Sequence, residues 1–147
     1  MSIRIFRGGY RCRLFPEAWV WHKRRTDLKK FFKQVHNSGI ARINLYKKYP
    51  DTLKLVHLLP AAFTLGCIFL ILCSLLTPWA LLPIGLFALL VLVDASCKEK
   101  SLRIGVLSVA ASFVQLFGYG SGFLRAWWER CVLGHGEIEA FKKNFYK

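Results

Sequence analysis

The chain has 147 residues, is 54% hydrophobic and carries a net charge of +14, a combination that fits an ordinary soluble domain poorly and a membrane protein well, because the latter separates its apolar and charged segments. The charges do separate: residues 1–54 hold 14 of the 22 Lys and Arg against only Glu17, Asp27 and Asp51. Five cysteines (Cys12, Cys67, Cys73, Cys97, Cys131) form no CxxC pair, which argues against both a disulfide scaffold and a zinc site.

In chain order, Met1 to Tyr10 is basic and lacks the apolar stretch of a signal peptide, so membrane targeting is expected to come from later helices. Ser2 to Arg7 reads as a helix end closed by Gly8-Gly9, which can adopt positive φ. Tyr10 to Phe15 alternates as a strand would until Pro16 interrupts it, and Ala18 to Trp21 is a second short apolar run. Residues 1–25 are therefore expected to be a small α/β unit, too small to fold without a partner.

Residues 26–54 form a basic region. Leu28, Phe31, Phe32, Val35, Gly39, Ile43 and Tyr46 recur at spacings of three and four, predicting one apolar helix face, with Lys29, Lys30, Lys33, Asn37, Lys47 and Lys48 on the remainder. Thr26 is the expected N-cap, and Gly39 is a place where the helix can bend or divide. A basic amphipathic helix beside a spanning helix is expected to lie in the interface, with its lysines at anionic headgroups. Nucleic acid is the competing partner for so much positive charge, but no RNP, zinc-finger or helix-turn-helix pattern accompanies it.

Residues 55–124 are expected to be the membrane region. Leu55 to Leu76 contains no charged residue, and its 22 residues exceed the roughly 20 needed to cross ~30 Å of hydrocarbon, predicting a spanning helix. Thr77-Pro78 is a break at the far face, Trp79 is an interfacial residue, and 79–95 is a second span closing a tight helical hairpin. Ile104 to Leu124 is the third apolar segment, and its Gly118 and Gly122, four apart, permit close helix approach. Positive-inside counting puts residues 1–54 in the cytoplasm and agrees with a cytoplasmic return at Lys98, Lys100 and Arg103. A third full crossing would place Arg125, Arg130 and the rest of the basic polar tail, 125–147, outside, which the rule disfavours.

An ordered string of short motifs points further. The helix end Ser2-Ile3-Arg4-Ile5 is followed by Gly9-Tyr10, Pro16-Glu17-Ala18, His22, a basic run, Phe31-x-x-Gln34 and Gly39-x-x-Arg42. In this order and spacing the chain resembles the C-terminal, membrane-embedded part of bacterial family 2 glycosyltransferases of the GT-A type, from the last helix of the catalytic domain into its interface helix. The resemblance covers essentially the whole chain. It implies inverting transfer of a sugar from a nucleotide donor to a lipid-linked or polysaccharide acceptor in cell-surface glycan synthesis at the cytoplasmic membrane, with the N-terminal region cytoplasmic. It also implies that His22, Arg24, Arg25, Gln34 and Arg42 contact a diphosphate or lipid phosphate, since guanidinium groups bind phosphate bidentately.

The departures are equally specific. The family holds a divalent metal (Mg or Mn) on an Asp-x-Asp element and takes its base from a Glu-Asp pair; residues 1–54 contain neither. The pair would lie just before Met1, so the start is expected to be internal to a longer reading frame. The isolated chain is expected to be inactive and to need a missing catalytic domain or a separate catalytic chain. Gln34-Val35-His36-Asn37 also lacks the Arg-Trp of the Gln-x-x-Arg-Trp element used by processive members. The alternative is a small basic, non-catalytic membrane protein that docks a partner chain or anionic lipid. His36 and His57 are expected to be packing or interfacial residues, and His135 lies in a polar tail without a recognisable partner.

Overall fold

The structure is a computed structural model that describes residues 5–6, 8–11, 13–21 and 27–138. It is mainly helical, with four α-helices and no strand among the described residues. Helix α1 is Leu28–Lys48, α2 is Leu59–Cys73, α3 is Leu82–Glu99 and α4 is Leu102–Trp127. Short 3-10 turns precede α2 (Leu55–His57) and α3 (Pro78–Leu81), and a π turn, Trp128–Val132, continues α4.

The ends of these helices follow from local chemistry. Asp27, not Thr26, caps α1: its Oδ1 accepts from the Lys29 backbone N at 2.8 Å. Thr26 itself lies outside the described residues. Pro50 stops α1 one residue after Tyr49. Prolines sit in the first turns of α2 and α3, where no intrahelical N–H bond is lost. Lys100 closes α3 in the left-handed region (φ 49), and Ser101 then caps α4.

Helix α4 is the hub, since α1, α2 and α3 all pack on it. At Gly122 a Cβ would collide with the carbonyl of His36, and at Gly39 one would meet Tyr119 O and, at 2.7 Å, Phe123 N. The backbones of α1 and α4 therefore touch, which is what the four-residue glycine spacing permits. For the same reason α1 runs unbroken through Gly39 instead of dividing there. Gly120 takes Pro60 and Thr64 of α2, and Gly105 takes Leu92 and Ser96 of α3. Ile40, Ile43, Ala61, Phe123 and Ala126 form the buried core where α1, α2 and α4 meet.

Three expectations change. The described residues 10–11 and 13–21 are irregular and exposed around a turn at Pro16-Glu17, so the expected α/β unit is not formed there; without a neighbouring strand to pair its N–H and C=O groups, a strand has nothing to hold it. The helix end at Gly8-Gly9 does form: Gly9 has φ +79, and Gly8 N and Tyr10 N donate to Ile5 O. The second change concerns helix lengths. Two helical stretches, Pro78–Glu99 and Leu102–Val132, are long and apolar enough to cross a membrane, whereas Leu59–Cys73 is a shorter apolar helix. Its 15 residues rise about 22 Å. The third is the hairpin, which is splayed: α2 and α3 meet through the Phe63–Phe87 ring pair (5.1 Å) but share no extended interface, because each packs on α4. The expected polar tail also begins later, as helix continues from Arg125 to Val132 and irregular chain follows to Ile138.

Candidate functional site

The basic helix α1 is held by its apolar side. Gly39, Ile40 and Ile43 are buried against α4, while Lys29, Lys30, Lys33, Lys47 and Lys48 are exposed. Lys47 and Lys48 in the last turn also complement the negative end of the helix dipole. Among the described residues the ion pairs are Lys98–Asp94 and Arg125–Glu129, each 2.8 Å. No cation of α1 is neutralised by a carboxylate there, so α1 presents an uncompensated positive field to anything anionic that approaches.

Toward the C-terminal end of α1 and just past it the polar groups concentrate. Arg42 is half-buried, and the Lys54 backbone N donates to His57 Nδ1 at 2.9 Å. The pKa of His57 is lowered from its ordinary value by desolvation and then by the charges of Arg42 and Lys54, in keeping with Nδ1 acting as an acceptor. Opposite them, Arg130 Nη1 donates to Asn44 Oδ1 at 2.8 Å, and Asn44 Nδ2 donates to Ile138 O at 3.0 Å. Arg130 Nε is buried and has no hydrogen-bond partner. The Asn44 amide thus ties α1 both to the π turn and to the chain beyond it.

Two turns earlier, Ser121 Oγ donates to Gly118 O at 3.0 Å and accepts from His36 Nδ1 at 3.1 Å, which sets the Nδ1–H tautomer. Desolvation, and then Arg125, lower the His36 pKa; the Gly118 backbone partly opposes them. His36 is thus a bolt across the closest point of the α1–α4 contact.

Of the five residues expected to meet phosphate, His22, Arg24 and Arg25 lie outside the described residues. Gln34 is exposed on α1 and Arg42 is half-buried on the same helix. Eight positions separate them, a rise of about 12 Å along the helix. Arg42 is instead grouped with Lys54 and His57, which the expected set omitted. The sequence signal for that pair is weak: a Lys and a His three apart at the edge of an apolar run. No group of three His, Cys, Asp or Glu side chains among the described residues is placed to hold a metal ion. Compared with known families, curated proteins and solved structures, the chain matches none.

Proposed function

We propose that this chain is the membrane-embedded, acceptor-side part of a bacterial family 2 glycosyltransferase that builds cell-surface glycan at the cytoplasmic face of the inner membrane. The reading rests on the ordered motifs from Ser2 to Arg42 and on one structural observation: the basic helix α1 is fixed to a long apolar helix at the Gly39–Gly122 contact. A helix held this way keeps its cations at a set height relative to the bilayer. That suits a lipid-linked acceptor, whose phosphate lies at the headgroup level and must be presented to a catalytic centre above it. The metal and the base would come from a catalytic domain supplied by other residues or another chain, because the acids here are too few and too scattered. In that assembly His22, Arg24 and Arg25 would face the departing diphosphate, and Gln34 and Arg42 the acceptor side.

A second reading, a small non-catalytic membrane protein that docks a partner, is favoured by the exposed apolar residues Leu14, Trp19, Val20 and Trp21 before α1. Such a run needs a cover.

The test is to capture the tagged chain from its native membranes with whatever accompanies it and to assay transfer from a panel of nucleotide sugars. His22→Ala or Arg25→Ala should lower turnover about a hundredfold, as for a lost transition-state contact. Lys29→Gln, Lys30→Gln or Lys33→Gln should cost little, each being one of several headgroup attractions of roughly 1 kcal/mol. Captured material with no transferase activity would leave the docking protein as the answer.

A further inference from the structure

Three apolar segments lie between the basic region and the C-terminal end of α4, and three complete crossings would leave those two regions on opposite sides of a bilayer. The contacts do not permit it. Arg130 is hydrogen-bonded to Asn44 at 2.8 Å, Asn44 to Ile138 O at 3.0 Å, and His36 to Ser121 at 3.1 Å. At the start of α2, Pro60 and Thr64 lie on Gly120, near the same end of α4. Groups in contact share a side, so the number of complete crossings between Asn44 and Arg130 must be even.

Helices α3 and α4 supply the two. Both belong to stretches long and apolar enough to cross. They run antiparallel through the tight turn at Lys100, with Gly105 on Leu92 and Ser96 and, farther along, Phe113 on Phe87 at 5.5 Å. Helix α2 is left over. It rises about 22 Å against ~30 Å of hydrocarbon. Its first half is anchored by Phe63 on Phe113 and Phe117, while Ile68, Phe69, Ile71 and Leu72 in its second half are at least half exposed.

We propose that α2 does not cross: it enters and leaves the bilayer on the side of α1, and its exposed second half is a docking surface for the acyl chains of that one leaflet. Acyl chains are the occupant because the segment from Leu55 to Leu76 carries no charge and its start, Pro60 and Thr64, lies on Gly120 near the end of α4 where α1 packs. The charge distribution agrees. With α3 and α4 as the only crossings, 19 of the 22 Lys and Arg lie on one side and only Lys98, Lys100 and Arg103 on the other. Adding α2 as a third crossing would move Arg125, Arg130 and the three lysines of the tail away from the basic side. By the positive-inside rule the side of α1 is cytoplasmic, and Thr77-Pro78 lies there as well.

The experiment places single cysteines at Thr77→Cys, Lys100→Cys and His135→Cys in a cysteine-free chain and labels intact spheroplasts with a membrane-impermeant maleimide. Only Lys100→Cys should react before permeabilisation. Reaction of Thr77→Cys from outside, or protection of Lys100→Cys, overturns the proposal. Trypsin treatment of sealed right-side-out vesicles holding the unaltered chain gives the same reading without substitutions. Cleavage should be confined to 98–103, and cleavage between Lys29 and Lys54 contradicts it. A photo-activatable residue at Leu72 should form lipid adducts, whereas an adduct of twice the chain's mass would assign that surface to a second copy.

Discussion

The α1–α4 contact and the α2–α3 pair differ in a way that runs against hydropathy. Helix α1 is the most basic of the four helices, yet its backbone touches that of α4 through Gly39 and Gly122 and contributes Ile40 and Ile43 to the buried core. Helices α2 and α3 are almost wholly apolar, and they meet through one ring pair. In a bilayer, apolarity does not drive helices together, because lipid is as apolar as leucine; close approach and hydrogen bonds do. Small residues and polar cross-links such as His36–Ser121 therefore mark the joints, and leucine marks the surface that lipid covers.

Substituting glycines sharpens that contrast most strongly. Gly122→Leu drives a side chain into the His36 backbone and should cost about 3 kcal/mol, as overpacking at a rigid contact does. Gly66→Leu, on α2 with nothing within 4 Å of its Cβ position, should stay within about 0.5 kcal/mol. Unfolding in detergent micelles reads both, and equal losses would erase the distinction between joint and surface. His36→Ala should cost about 1 kcal/mol for the lost hydrogen bond to Ser121. Because burial and then the Arg125 charge hold the folded pKa of His36 below its ordinary 6.5, protonating the folded chain is disfavoured, so stability is full above pH 6.5 and falls as the pH drops through the lowered value, while the bond donated by Nδ1–H persists in either state. His36→Ala should show a shallower pH dependence, with His57 supplying what remains of the same sign. The smallest effect is at the α3–α4 turn, where Lys100→Gly should gain about 0.5–1 kcal/mol by relieving a left-handed non-glycine residue. A loss there would mean that the lysine contributes a contact worth more than its strain.

The joints were more legible in the sequence than the lengths. Gly118-x-x-x-Gly122 announced a close approach because a missing Cβ has the same consequence wherever the helix goes. The apolar spacing from Leu28 pointed to a helix at α1, although the cap proved to be Asp27 and the helix ends at Lys48, before the expected boundary at residue 54. The extent of α2 was not readable, since hydropathy counts Leu55 and Val56 of a 3-10 turn, and Leu75 and Leu76 beyond the helix, as though they were helical. The length of α4 was hidden in the opposite way: Arg125 ends the apolar run, but its guanidinium pairs with Glu129 one turn on and the helix continues along α1. In the candidate site, Arg42 was singled out by the Gly39-x-x-Arg42 motif. Its neighbours Lys54 and His57, and the Asn44–Arg130 link, depend on contacts made by folding, the last across 86 positions that no local pattern reports.

That link also provides the most direct test of how the chain is arranged in the membrane. Asn44→Cys and Arg130→Cys, introduced together into the cysteine-free chain and treated in native membranes with a short bis-methanethiosulfonate, should cross-link within one chain, because the parent side chains meet at 2.8 Å on one side of the bilayer. Efficient labelling of each cysteine alone, with no cross-link when both are present, would separate α1 from the end of α4 and contradict the account.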